Sequence, residues 1–148
     1  MAKVTASAER MIDAPADQVY GYLADQNQRA KFLPPAFSDF QVVEGGVGAG
    51  SATRFKITAG GRTREYNMRV SEPEPGRTLV ETDQGSSLTT TFTVTPRGDN
   101  SLVNITTSWD GAGGIGGFFE KTFAPRALHR LYLDELSRLN AHALAQRG

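Results

Sequence analysis

Of the side chains able to move a proton or hold a polar atom, four are candidates to meet a bound small molecule: Arg64, Tyr66, Glu81 and His129. Acid–base work on a bound small molecule needs a donor or acceptor within hydrogen-bond reach of it. Arg64 shares strand parity with Tyr66 and Met68, so the three are expected on one face, where Arg64 can meet a ligand carboxylate; its plainer account is a solvated strand end. Glu81 shares parity with Leu79. A carboxylate on the inner face of a sheet is costly unless paired, and Arg64 is one candidate partner. His129 falls beside a helical face carrying Tyr132 and Leu136, bordering any cavity there, although a surface place or a structural hydrogen bond is the simpler account.

Other chemistry is excluded or weakly signalled. The chain has no cysteine, which removes disulfides, thiolate metal sites and a cysteine nucleophile. His129 and His142 stand 13 apart on one helix, a spacing that does not stack them for a metal, so neither metal nor cofactor is expected. No Gly-x-Ser-x-Gly elbow occurs. The run Gly45-Gly46-Val47-Gly48-Ala49-Gly50 lacks the Lys and the following helix of a phosphate loop, and is expected to be a mobile hairpin at a cavity mouth.

With 16 basic and 16 acidic residues there is no net field toward nucleic acid. No run approaches the 18 to 20 apolar residues of a membrane span, and the N-terminus has no apolar stretch of signal-peptide length. No nucleic acid and no integral membrane segment are therefore expected; the default address is the cytoplasm, and the protein is expected to be a monomer or homodimer.

The positioning elements follow from periodicity. Val4 to Ile12 reads as a strand; Asp13 is placed as an N-cap, with Pro15 opening a helix to Ala24. A second short helix, capped by Asp25, runs to Phe32 and stops before Pro34-Pro35. From Phe37 the period becomes two, giving strands Phe40–Glu44, Ser51–Thr58, Arg62–Ser71, Thr78–Asp83, Ser87–Thr95 and Leu102–Trp109, separated by Gly- and Pro-containing turns. After the glycine cluster Gly111 to Gly117 a helical pattern extends to about Ala145. Its apolar arc turns near Pro125, which predicts a kinked helix or a short helix abutting a long one. At 148 residues this is one domain, 1–148.

A single long helix covers only part of a seven-stranded sheet, and a twisted sheet can wrap around it. Alternation turns Tyr66, Met68 and Val70, Phe92 and Val94, and Val103, Ile105, Thr107 and Trp109 inward. Each alone is ordinary core. Together, with polar atoms on Tyr66 and Thr107, they have the mix of a ligand pocket. Trp109 with Phe118, Phe119 and Phe123 would form an aromatic gate if the glycine cluster hinges the helix.

The run Ala8-Glu9-Arg10-Met11-Ile12-Asp13-Ala14-Pro15-Ala16-Asp17-Gln18-Val19-Tyr20 resembles the opening of the START/SRPBCC superfamily, and more narrowly its polyketide cyclase/dehydrase and lipid-transport group. A glycine-rich turn, a strand closed by Glu72-Pro73, a Gly-Asp-Asn-Ser turn and a closing helix follow in the same order. Phe32 stands where the group often has Trp. The resemblance implies an α+β helix-grip fold, in which a seven-stranded curved antiparallel sheet and two short N-terminal helices surround a long C-terminal helix over a hydrophobic cavity. The implied function is binding or transport of a lipid, isoprenoid or polyketide-like molecule. A cyclase/dehydrase-type enzyme using the same cavity, and a regulatory module whose cavity is filled by its own side chains, are the alternatives. The ligand-binding set is Arg64, Tyr66, Met68, Glu81, Phe92, Ile105, Thr107, Trp109, Phe119, Phe123 and His129.

Overall fold

Val4, Ala6 and Ala8 are buried while Thr5, Ser7 and Glu9 face solvent, and that alternation makes Lys3–Ile12 a half-buried strand, β1. The computed structural model describes residues 3–59, 62–110 and 124–147. After β1 come helices α1 (Ala16–Ala24) and α2 (Gln26–Arg29), six strands β2 (Phe37–Glu44), β3 (Ala52–Ala59), β4 (Arg62–Glu74), β5 (Thr78–Asp83), β6 (Thr89–Arg97) and β7 (Asn100–Asp110), and helix α3 (Ala124–Arg147).

The strands form one antiparallel sheet in the order β1-β7-β6-β5-β4-β3-β2. Consecutive strands from β2 to β7 pair as a meander, and β1 returns to β7 with Val4 opposite Trp109 and Ala8 opposite Ile105. The inner face carries Tyr66, Met68, Leu79, Phe92, Val94, Val103, Ile105 and Trp109 into a continuous core, and α3 contributes Leu128, Tyr132, Leu136, Leu139 and Ala143 to it. This is the helix-grip arrangement. Among the described residues no helix is long and apolar enough to cross a membrane.

Several local expectations change. Pro15, not Asp13, occupies the N-cap of α1. The Asp13 amide instead donates to Asn140 Oδ1 at 2.7 Å, and Asn140 Nδ2 donates to the Asp13 carboxylate at 3.2 Å, fastening the approach to α1 onto α3. Asp25 does cap α2, accepting from the Asn27 amide at 3.0 Å. β2 begins at Phe37, with a register break between Ser38 and Gln41 around Asp39, whose φ is 53°. β4 runs on past Pro73, which sits at a second irregularity between Ser71 and Glu74, a place where a strand tolerates proline. Pro125 is the second residue of α3. The expected bend at Pro125 involves the residues just before Ala124, which lie outside the described residues. The glycines at 60 and 61, and the cluster Gly111 to Gly117, lie outside the described residues.

The glycine loop is not a free hairpin. The Gln26 amide donates to Gly46 O at 2.7 Å, Gly48 N to Ala24 O at 3.0 Å and Gly50 N to Val70 O at 2.9 Å. Gly46 N donates to Ser51 Oγ, and Ala49 N to Glu72 Oε1 at 2.7 Å. The other Glu72 oxygen accepts from Tyr20 OH at 2.6 Å. The loop's amides are thus directed at the protein's own carbonyls and side chains, which leaves them unavailable as a phosphate cradle. At Gly48, where φ is +70°, an added Cβ would lie 2.5 Å from Glu72 Oε1. Gly48→Ala is expected to cost about 1–3 kcal/mol through left-handed strain and displacement of Glu72, read as a lower urea midpoint with unchanged slope. An unchanged midpoint would show that the loop is slack.

Candidate functional site

Seven of the elements contribute walls to one internal crevice. Its lining comprises Phe37 from β2, Phe55 and Ile57 from β3, Tyr66 and Met68 from β4, Glu81 from β5, Leu88, Thr90 and Phe92 from β6 and the turn before it, Arg29 from α2, and Leu128, Tyr132 and Glu135 from α3. The aromatic wall is continuous: Phe37 and Phe40 pack on Phe55 with centroids 5.3 and 6.0 Å apart, and Phe55 meets Tyr66 at 5.7 Å.

Against this wall sits a buried charge cluster. Arg29 Nη1 donates to Glu81 Oε2 at 2.8 Å and Arg29 Nη2 to Glu135 Oε2 at 3.2 Å, with all three side chains no more than 4% exposed. The guanidinium lies over the Phe92 ring, 4.9 Å from its centroid, a cation–π contact. Its Nε–H is buried without a hydrogen-bond partner. Burial alone pulls Arg29 toward neutrality, but the Glu81 and Glu135 carboxylates outweigh it and hold the guanidinium charged, above its ordinary value. Burial pushes the Glu135 carboxyl up to about 7; Arg29 opposes that rise and Glu81 adds to it. Two acids share one base in a dry place, so one of them keeps its proton into the neutral range.

A second, uncharged chain crosses the same interior. Thr90 Oγ1 and Thr107 Oγ1 are hydrogen-bonded at 2.7 Å, and Thr107 Oγ1 is hydrogen-bonded to Tyr132 OH. Burial pushes the Tyr132 phenol up to about 12, with the Thr107 hydrogen bond pulling the other way. It stays protonated and available as a donor.

Tyr66, Met68, Glu81 and Phe92 come together at the crevice. Ile105, Thr107 and Trp109 are buried on the same face of the sheet but stand on β7, outside the lining, and only Thr107 connects to it through Thr90 and Tyr132. Phe119 and Phe123 lie outside the described residues, as does the rest of the suggested aromatic gate. Arg64 is half-buried near the β3–β4 turn, 3.8 Å from Asp83 and 5.5 Å over the Tyr66 ring. It is not the partner of Glu81: Glu81 is in register with Val70, and six residues of strand span about 20 Å. His129 is exposed, with Nδ1 2.7 Å from the Ser7 carbonyl, and serves to hold α3 on β1.

Besides the lining residues Phe37, Phe55, Ile57, Leu88, Thr90, Leu128 and Tyr132, sequence reasoning missed the two charged ones, Arg29 and Glu135. Glu135 had a signal. It stands three residues after Tyr132 and four before Leu139, inside the buried stripe of α3, where a carboxylate demands a partner. Arg29, at the end of a four-residue helix, had no periodicity to place it.

The free volume of the crevice is ≈ 20 Å³, room for one water-sized group. The expected roomy cavity is thus narrowed, because Arg29, Phe92, Leu128 and Tyr132 project into the space between sheet and α3.

A family model described as polyketide cyclase / dehydrase and lipid transport matches residues 1–144. No curated protein matches the chain. Among solved structures, that of the KanY protein, determined by NMR in solution, is 39% identical over 96% of this chain and 98% of its own, with a TM-score of 0.84. The Zhui aromatase/cyclase from Streptomyces sp. R1128 is 18% identical over 99% of this chain and 97% of its own, at 0.74. The major latex-like protein 151 from Panax ginseng is 13% identical over 95% and 97%, at 0.72. The last two share the fold.

The raised Glu135 value has a sign that can be measured. A folded pKa above the unfolded one contributes stability that is complete below the unfolded value of 4.5 and is lost as pH rises toward about 7. Relative to Glu135→Gln, the unsubstituted protein is therefore expected to lose up to about 3 kcal/mol across that window, at about 1.4 kcal/mol per unit, and nothing further above it. Parallel stability–pH curves from denaturant melts of the two proteins would contradict this origin of the shift.

Proposed function

Because the chain belongs to the polyketide cyclase/dehydrase and lipid transport family, we propose that it binds a small hydrophobic molecule reversibly between the sheet and α3. The observation that carries this reading is the Arg29–Glu81–Glu135 cluster set into an aromatic wall. A core selected for stability alone gains little from three desolvated charges, since apolar side chains of similar volume serve as well or better. A ligand site needs such groups to orient a polar end while apolar burial, at about 25 cal/mol per Å², supplies affinity. Drug-sized ligands occupy about 300–1,000 Å³, so binding requires the α3 side of the crevice to part from the sheet, with Leu128 and Tyr132 moving first.

A second reading, a cyclase- or dehydrase-type enzyme on the same crevice, is favoured by Glu135 itself. A carboxyl that titrates at about 7 is matched to proton exchange at neutral pH. The neighbour described as an aromatase/cyclase supports this reading by fold alone.

Native mass spectrometry of gently extracted protein should show a copurified small molecule, and the fluorescence of the buried Trp109 should change on titration with apolar ligands. If turnover of a polyketide-like substrate accompanies binding, Glu135→Gln is expected to lower the rate by about 10²–10⁴-fold. No copurified molecule, together with a flat titration across lipids and aromatics, would instead indicate a core filled by its own side chains.

A further inference from the structure

The polar end of the crevice holds more acid than base. Glu81 and Glu135 face the single cation Arg29, whose Nη1 and Nη2 already donate to them at 2.8 and 3.2 Å. One face of that guanidinium is covered by Phe92 at 4.9 Å. Lys and other Arg side chains do not line the crevice among the described residues. An arriving carboxylate or phosphate would meet two carboxyl groups already on the crevice's cation, at least one of them ionised and balancing its charge, in a place where water does not screen like charges. An ammonium would find acceptors in the two carboxylates, but has nothing to offer the buried Nε–H of Arg29, which lacks an acceptor. A hydroxyl does both: its O–H donates to a carboxylate and its oxygen accepts from an N–H. The free space beside these groups, ≈ 20 Å³, holds one such group. The rest of the lining, Phe37, Phe55, Leu88 and Met68 among it, is apolar and suits a flat hydrocarbon body.

Resting on the binding reading above, we propose that the site selects a neutral hydroxyl-bearing hydrophobic molecule, a phenol or an alcohol, and rejects its carboxylate counterparts, with Glu135 and Glu81 as the residues that set this preference. The hydroxyl takes the position between Arg29 Nε and the carboxylates, and the body displaces the α3 wall. Free fatty acids, whose head is an acceptor-only anion, are poor ligands on this account.

A matched set of probes tests it at neutral pH: 2-naphthol, 2-methoxynaphthalene, 2-naphthoate and 2-naphthalenemethylamine, each titrated by calorimetry against the full chain. The bodies are alike, and the heads are respectively donor and acceptor, acceptor only, anion, and cationic donor. The expected order places 2-naphthol at least about tenfold tighter than each of the others, about 1.4 kcal/mol. In Glu135→Gln the preference for naphthol over naphthoate is expected to shrink to about threefold or less, through tighter naphthoate binding; should circular dichroism show that variant unfolded, Glu81→Gln carries the same comparison. Naphthoate or the amine binding as tightly as naphthol in the unsubstituted protein, or an unchanged preference in the folded variant, overturns the head-group assignment and leaves reversible binding standing. No heat with any of the four overturns both.

Discussion

The Arg29 guanidinium joins the short helices, the sheet and the long helix. It leaves the end of α2, crosses beneath the sheet to Glu81 on β5 and meets Glu135 on α3. Desolvating these three charges is expensive, and only good geometry with full hydrogen bonding repays it. The geometry in turn ties the short helices to the sheet and the long helix to both. Removing Arg29 would leave two carboxylates buried together, so the residue at the end of a minor helix decides whether the interior is tolerable at all.

That cluster also explains why the crevice is narrow. A guanidinium held at both ends and covered by Phe92 fills the space that strand curvature opens. Tyr132, engaged with Thr107, fills the other side. Most of the apolar wall, with Thr90 and Thr107, is held in the strand ladders of the sheet, whereas Leu128, Tyr132 and Glu135 share one helix. Any widening is accordingly a movement of α3 and its side chains.

Strand periodicity, turn residues and the closing helix were legible because each is a local pattern. The inward parity of Tyr66, Met68, Glu81 and Phe92 could be read from alternation alone. What could not be read was contact between distant elements. Glu81 asked for a cation, and Arg64 was nearer in sequence than Arg29, but strand register sets Glu81 opposite Val70 and the Arg64 side chain reaches Asp83 instead, while a four-residue helix delivers Arg29. Asp13 looked like a cap until Asn140, far along the chain, claimed it. His129 takes the simpler of its two readings, an exposed place on α3 with a hydrogen bond to the Ser7 carbonyl. The glycine run suggested mobility because sequence shows its lack of side chains, not the amides that Ala24, Val70 and Glu72 engage.

The sheet is open, so it has two rims, and they are unlike. β1 is packed along α3, while among the described residues no further strand pairs with the outer side of β2. An uncovered rim invites a neighbouring molecule to add its own strand and so begin a fibril. β2 offers poor footing for that: it breaks register twice, turns left-handed at Asp39 and carries charge at Asp39 and Glu44. The same distortions that shape the Phe37 end of the crevice thus spoil this rim as a template for stacking.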